Sequence, residues 1–298
     1  MTTPNLLTKA EPETTNKRTL RHVFEVILRD PLSLISTIII VLFILVAIFA
    51  NLVAPYPEEG LGHANVPNKM LSPSSEHIFG TDRLGRDVFS RVVIGTRSAL
   101  IIPFCVVFFA ILIGAPLGAL AGYKGGWIDE VIMRITDMFL AFPSILLAMA
   151  ITAALGRGMQ NAAIALVIAW WPWYTRLVRG ITVGLRERYY IEAAQAIGVR
   201  DSVIIWRHIL PNTISPILVQ ATIDLGTVII SMGSLGFLGL GTQPPLADWG
   251  LMVSEGRDFI LNQWWISTFP GISIFIVVVA FNLLGDTLRD IFDPRQYR

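Results

Sequence analysis

The sequence has little charge. Of its 298 residues, 15% are charged and 53% are hydrophobic, whereas an ordinary soluble domain carries about 25% charged residues. This composition excludes intrinsic disorder, which requires low hydrophobicity and high charge, and it argues against a soluble enzyme. The 23 basic and 22 acidic residues give a formal net charge of +1, so no basic excess indicates a nucleic-acid partner.

The chain also lacks the motifs of ATP hydrolysis, metal binding and covalent catalysis. It contains no G-x-x-x-x-G-K-[ST] and no G-x-S-x-G, the signatures of a P-loop and of a nucleophile elbow. The four histidines have no partner at metal-ligand spacing. The single cysteine, Cys105, cannot form an internal disulfide, and its apolar surroundings predict a buried side chain. We therefore expect no catalytic residue, cofactor or metal ion on this chain.

Long uncharged runs are what the sequence has in abundance. A helix needs about 20 apolar residues to cross a bilayer core. Six runs meet or approach that length, and the helix of the fifth is expected to begin near Pro216. The sequence thus predicts an all-α polytopic membrane protein with six transmembrane helices, at residues 32–54, 98–123, 138–156, 158–175, 225–247 and 259–285.

The distribution of basic residues predicts the orientation. If the N-terminus is cytoplasmic, the inside segments 1–31, 123–136, 176–215 and 286–298 contain 16 Lys and Arg, and the outside segments contain 7. Positive charge concentrates in cytoplasmic loops, so both termini are expected to be cytoplasmic.

This orientation divides the chain into four parts. Residues 1–30 form a cytoplasmic tail with a short amphipathic helix at 20–28. Residues 31–97 contain the first membrane helix and an extracytoplasmic segment. Residues 98–285 form the core with the other five helices, and residues 286–298 form a cytoplasmic tail.

The inside loop 176–215 is too long for a simple connection. It predicts a helix at 190–197 that Gly198 ends, then a second helix that starts at Asp201 or Ser202 and ends before Pro211. The small side chains of Ala193 and Ala194 would let the first helix enter a groove on a partner, where Glu192 could bind a basic or amide group. Alternatively, this helix packs only on its own chain.

The loop resembles the EAA signature of the membrane subunits of bacterial ABC importers, which is EAA, three residues, Gly, nine residues, then Ile-x-Leu-Pro. His208 departs from it by replacing the Ile, and could cap the helix end or reach a partner. In that family the loop is the coupling helix that docks on the ATPase. The resemblance implies this role for the matching positions Glu192, Ala193, Ala194, Gly198, Leu210 and Pro211, with His208 beside them.

Three further segments, 79–100, 236–250 and 282–294, resemble C-type permeases of the oligopeptide, dipeptide and nickel importer group. This resemblance implies the type I ABC importer fold in a prokaryotic inner or plasma membrane. It also implies as partners a B-type permease, two ATPase subunits that bind ATP and Mg²⁺, an extracytoplasmic binding protein and the lipid bilayer. The substrate stays open among peptides, nickel chelates, glutathione, opines and oligosaccharides.

The outside segment before the second run has a turn between Gly80 and Gly85. Residues 86–97 predict an amphipathic helix along the outer membrane surface. This helix either contacts a binding protein or closes the outer end of the helix bundle.

Two acidic residues in or beside the spans are candidates for the translocation path or its gating, because charge inside a membrane is costly. Asp137 could instead form a structural pair with Arg134 at i,i+3 spacing. Asp224 has no basic neighbour on its own helix, so its partner is a group on another helix, water or an amine of the substrate. A proton- or sodium-driven secondary transporter that uses both carboxylates is the alternative function.

Overall fold

The computed structural model describes residue 28 and residues 30–292. The predicted tail helix at 20–28 lies almost wholly outside the described residues, as does the end of the C-terminal tail. Within the described residues the chain is helical and contains no β-strand. Its α-helices are α1 (Pro31–Ile48), α2 (Ala50–Val53), α3 (Pro57–Gly60), α4 (Val88–Lys124), α5 (Gly126–Leu140), α6 (Ser144–Leu155), α7 (Met159–Arg186), α8 (Tyr189–Ala196), α9 (Asp201–Ile204), α10 (Leu210–Phe237), α11 (Trp249–Gly256) and α12 (Trp265–Phe292).

Four helices are long and apolar enough to cross a membrane: α1, α4, the continuous helix Asp201–Phe237 and α12. The bent pair α5–α6 makes a fifth if it counts as one span. The remaining predicted span, 158–175, falls on α7, which is long enough but more polar. Its Trp and Tyr side chains and the arginine after them lower its hydropathy, and the helix is largely enclosed by its neighbours α4, α6 and α10.

Helix α4 corrects the prediction of a separate surface helix at 86–97. It runs for 37 residues without a break, about 55 Å at 1.5 Å per residue. The Asp87 carboxylate starts it by accepting from the Ser90 N–H at 2.7 Å, and Gly125, at φ 65°, ends it. Because the helix is longer than a hydrocarbon core of about 30 Å, part of it must extend beyond the membrane.

The exposed face of α4 also corrects the prediction for Cys105, which is exposed. Phe104 and Phe108 are exposed beside it. The apolar run was correctly identified, but in a membrane protein an apolar side chain can face lipid or another subunit instead of the interior.

The third predicted span is broken. Helices α5 and α6 meet at 86° around Pro143, which serves as the N-cap of α6. The bend divides the predicted span, so that α6 alone has only 12 residues. Helix α12 continues to Phe292, so the first part of the predicted C-terminal tail belongs to this helix.

The bundle has two ends. One, called here the 54–87 end, consists of residues 54–87 and 238–264. The opposite 187–209 end consists of residues 187–209 with the C-terminus of α4. The start of α12 belongs to the first end, because the Trp265 indole donates to the Thr81 carbonyl at 3.1 Å.

Candidate functional site

The 187–209 end presents α8 as a short helix on the outside of the bundle. The Gln195 carbonyl accepts from the Gly198 N–H at 2.9 Å, and the Ala194 carbonyl accepts from the Val199 N–H at 3.0 Å. Gly198 has φ 79°, the left-handed conformation that glycine adopts most readily. The predicted helix and its glycine stop are therefore confirmed, with the helix one residue earlier than predicted.

The side chains of α8 divide between the chain's own core and the outside. Ile191 is fully buried and anchors the helix. Ala194 packs partly against the same core, whereas Glu192 and Ala193 are exposed. Only part of the predicted docking face thus points outward.

The 187–209 end also exposes large apolar side chains. Tyr189 is 88% exposed, Ile197 80% and Trp206 64%. Large exposed apolar side chains that lie outside the apolar spans are typical of an interaction surface. Sequence reasoning missed them, because apolar residues in a short amphipathic loop are equally compatible with burial.

The second half of the loop differs from the prediction. Its N-cap is Arg200, and Asp201 is the first residue of α9. The helix does not end before Pro211, because a π-helical turn at Ile205–Ile209 leads directly into α10. Proline lacks an N–H and is tolerated in the first turn of a helix, and here it follows the widened turn.

His208 lies half-buried in this π-helical turn, beside Leu210. The helix continues through it, so the proposed capping of a helix end does not occur. The His208 carbonyl accepts from the Asn212 side chain at 2.5 Å. Leu210 is half-buried and packs against the core, and Pro211 is exposed.

Asp201 ties the loop to α4. Its carboxylate accepts from the Tyr123 hydroxyl at 2.7 Å and pairs with Lys124. Gln195 donates to the same hydroxyl at 3.1 Å. These contacts join α8, α9 and the end of α4 into one hydrogen-bonded unit, which the sequence did not indicate.

Asp137 pairs with Arg176 of α7 at 2.5 Å, not with Arg134. Arg134 instead lies 3.6 Å from Glu130. The predicted pair of Asp137 with Arg134 is therefore wrong. Because α5 packs against α7, Arg176 lies closer to the Asp137 carboxylate than Arg134 does. A second pair between the same helices, Arg179 with Asp129, is bidentate at 2.6 and 3.0 Å.

Asp224 is buried within the bundle. One carboxylate oxygen accepts from Gln220 of the same helix at 3.0 Å. The hydroxyl of Tyr174 on α7 lies near the carboxylate without a direct hydrogen bond. Asp137 and Asp224 lie on different helices, α5 and α10, and bind different partners.

The 54–87 end is held by a buried ionic cluster. Asp82 Oδ2 accepts from Arg86 Nε at 2.7 Å and from Arg91 Nη1 at 2.6 Å. Glu255 Oε2 accepts from Arg86 Nη2 at 3.2 Å and Arg91 Nη1 at 3.0 Å. Both arginines are fully buried, so the cluster fastens the 82–91 turn to α11.

Two other acidic residues support this end. Asp87 accepts from the His77 ring at 2.9 Å if that nitrogen carries the proton. Asp248 caps α11 by accepting from the Leu251 N–H at 3.0 Å, and burial raises the pKa of its carboxyl. The dense packing of this end favours closure of the bundle, one of the two roles considered for the outside segment.

The sequence of the chain matches two family profiles. The profile described as the inner membrane component of binding-protein-dependent transport systems matches residues 114–298. The N-terminal transmembrane domain of oligopeptide transport permease C matches residues 19–73.

The chain belongs to this family of ABC importer permeases. As a member of this family the chain is a multi-pass membrane protein, and its membership contradicts the ion-gradient-driven alternative.

The sequence of the permease is similar over most of its length to those of several named transport proteins. It is 48% identical over 275 residues to a dipeptide transport system permease protein of Alkalihalophilus pseudofirmus, which covers 92% of this chain and 90% of the relative. It is 43% identical to a probable D,D-dipeptide transport system permease protein of Escherichia coli K12, with 89% and 88% covered. It is 47% identical to a glutathione transport system permease protein of E. coli O157:H7, with 90% and 88% covered.

The fold of the permease is similar to that of a chain from the MetNI methionine ABC transporter in inward-facing conformations. The TM-score is 0.54 at 22% identity, and the similarity covers 69% of this chain and 97% of the other. The predicted type I importer fold is thereby confirmed.

Proposed function

We propose that this permease forms half of the translocation path of an ATP-driven importer and that the 187–209 end docks on an ATPase subunit. The exposed α8, with its uncovered aromatic and aliphatic side chains, is the observation that carries the proposal. ATP and Mg²⁺ bind on two partner ATPase subunits, and a B-type permease supplies the other half of the path. An extracytoplasmic binding protein delivers the substrate.

Two connections carry motion from α8 into the membrane. Asp201 links the loop to the end of α4 through Tyr123 and Lys124. The helix Asp201–Phe237 is continuous, so displacement of its first turn moves α10 as well. Closure of the ATPases would therefore tilt α4 and α10 together and change access to the path.

The proposed orientation places the 187–209 end and both termini in the cytoplasm. The excess of Lys and Arg in the corresponding segments supports it. The 54–87 end then faces the binding protein.

We propose short peptides as the substrate class. Relatives of 43–48% identity are named as permeases for dipeptides, D,D-dipeptides and glutathione, all small peptides or peptide-like molecules with ionised carboxylates. Competition of unlabelled dipeptides against a labelled dipeptide in cells that express the complete transporter tests this class, and failure to compete would contradict it.

The coupling role is tested by Glu192→Arg, with Glu130→Arg as the control at an exposed acidic residue outside the 187–209 end. Both variants are measured for assembly with the ATPase subunits and for ATP-dependent uptake in proteoliposomes. We expect Glu192→Arg to lose uptake or ATPase association while Glu130→Arg keeps both. Equal behaviour of the two variants would contradict a specific role for α8.

A further inference from the structure

A groove of about 630 Å³ lies between α1 and α4, away from the coupling loop. Helices α10 and α12 form its floor through Leu225 and Phe281. Its walls are apolar, and Arg97 is the one charged residue among its lining side chains, which also include Ile40, Ile44, Ala47, Ile48, Leu100, Ile101 and Phe104.

The groove follows the helix axes. On α1 its walls extend from residue 40 to residue 48, about 12 Å at 1.5 Å per residue, and on α4 from residue 97 to residue 104. Apart from Arg97, both stretches belong to uncharged apolar runs. An occupant must therefore be apolar and elongated along the membrane normal.

Arg97 lies at one end of the groove, and its guanidinium has more N–H groups than the contacts that it makes there. Its Nε donates to the Ala47 carbonyl at 2.8 Å, and Nη1 donates to the Asn51 side chain at 3.0 Å. Nη2 contacts the Ile48 carbonyl at 3.4 Å. A guanidinium has five N–H groups, so two are left after these contacts within the described residues.

The position of Arg97 matches the membrane boundary. It immediately precedes the uncharged run 98–123 and lies beside the C-terminus of α1. Arginine at such a boundary keeps its charge at the level of the lipid headgroups. An apolar groove that ends at a cation matches an apolar chain with an anionic head.

We propose that this groove binds an acyl chain of an anionic glycerophospholipid whose phosphate accepts hydrogen bonds from Arg97. The lipid fills the space between α1 and the rest of the bundle. A helix of another subunit would cover the apolar walls, but a helix by itself brings no anion for the guanidinium.

The lipid also supports the attachment of α1. Arg97 already binds the last carbonyls of this helix, where the helix dipole favours a cation. A lipid phosphate bound to the remaining N–H groups holds the Arg97 guanidinium against the C-terminus of α1. The site is independent of the proposed coupling role, because neither α1 nor Arg97 contacts the 187–209 end.

Photolabelling tests the ligand directly. The complete transporter is placed in nanodiscs that contain a trace of phosphatidylglycerol with a diazirine on its acyl chain, or diacylglycerol with the same label. We expect peptides containing residues 40–48 and 98–104 to carry about fivefold more label from phosphatidylglycerol, equivalent to the roughly 1 kcal/mol that one arginine contributes to binding an anionic lipid. Equal labelling by both probes, or by other lipid-facing segments, would overturn the proposal.

Matched variants test the groove itself. Ile44, in the groove, is 44% exposed, and Ile113, outside it on α4, is 43% exposed. Ile44→Trp should abolish the preferential labelling and Ile113→Trp should leave it unchanged. Arg97→Gln should remove the preference for phosphatidylglycerol, and Arg97→Lys should retain most of it.

A photoreactive amino acid in place of Phe104 shows whether a phospholipid or another subunit occupies the groove. Crosslinks to phospholipid support the proposal. Crosslinks to a polypeptide of another subunit would show that a protein covers the groove and would overturn it, even if Ile44→Trp fails to assemble.

Discussion

Gly118 of α4 lies directly against the backbone of Thr175 on α7. A Cβ at residue 118 would come within 2.4 Å of the Thr175 carbonyl oxygen. Gly114 and Gly122, one turn away on either side, meet the Trp171 and Arg179 carbonyl oxygens at 2.5 and 2.8 Å in the same way. Small residues at four-residue spacing let membrane helices approach closely, so α4 and α7 form a rigid central pair.

Replacement of this glycine should separate the pair. We expect Gly118→Ala to destabilise the permease by about 1–3 kcal/mol, the usual cost of overpacking, because the obstructing atom belongs to the backbone. Gly180→Ala on α7 is the control, since nothing lies within 4 Å of its Cβ position. Thermal unfolding in detergent measures both, and equal melting temperatures would contradict the close approach.

A second glycine is required for its backbone conformation and not for space. Gly198→Ala places a Cβ in the left-handed region at a cost of roughly 1–2 kcal/mol, although nothing surrounds the site. We expect reduced uptake with normal assembly, and partial recovery with Gly198→Asn, which tolerates this conformation better. Uptake in proteoliposomes that is equal for alanine and asparagine would argue against a conformational cause.

The tie between Asp201 and α4 should affect coupling more than folding. Asp201→Ala removes the contacts to Tyr123 and Lys124, whereas Tyr123→Phe removes only the hydroxyl bond. We expect both variants to assemble and hydrolyse ATP with lower uptake per ATP, the alanine variant more strongly. Simultaneous measurement of uptake and phosphate release tests this, and an unchanged ratio would contradict it.

The buried cluster at the 54–87 end should be sensitive to a single charge. Asp82→Asn leaves Arg86 and Arg91 with Glu255 as the acidic partner, and breaking a buried pair costs about 3–5 kcal/mol. Asp258→Asn removes an exposed pair with Arg257 and should change stability by less than about 1 kcal/mol. Folded yield and melting temperature distinguish the two; similar losses would show that the cluster is not buried.

Two substitutions of Asp224 distinguish a role in positioning Gln220 from a role in substrate binding. Asp224→Asn retains an acceptor for Gln220, and we expect the KM of uptake to stay close to that of the wild type. Asp224→Leu removes this hydrogen bond to the half-buried Gln220 amide, a loss of about 0.5–1.5 kcal/mol, and should lower the folded yield. A large rise in KM for the asparagine variant with normal yield would instead indicate contact with a substrate amine.

Much of the loop 176–215 could be predicted because its signals are local. Gly198 acts on its own backbone, and the first helix of the loop ends beside it, at Ala196. The prediction that the second helix ends before Pro211 was wrong. A π-helical turn at Ile205–Ile209 lets the helix continue, and no residue type marks such a turn. The role of the loop in coupling remains a prediction.

The sequence by itself determined the class of protein and the positions of most helices, since uncharged apolar runs are stable only within a membrane or a protein interior. Only the tertiary structure decided the partners of the charges. Arg91 and Glu255 are separated by 164 residues, and Asp137 finds Arg176 on another helix. It also decided that Cys105 is exposed and that Arg86 is buried, because side-chain burial depends on which helix faces pack together and composition does not specify that choice.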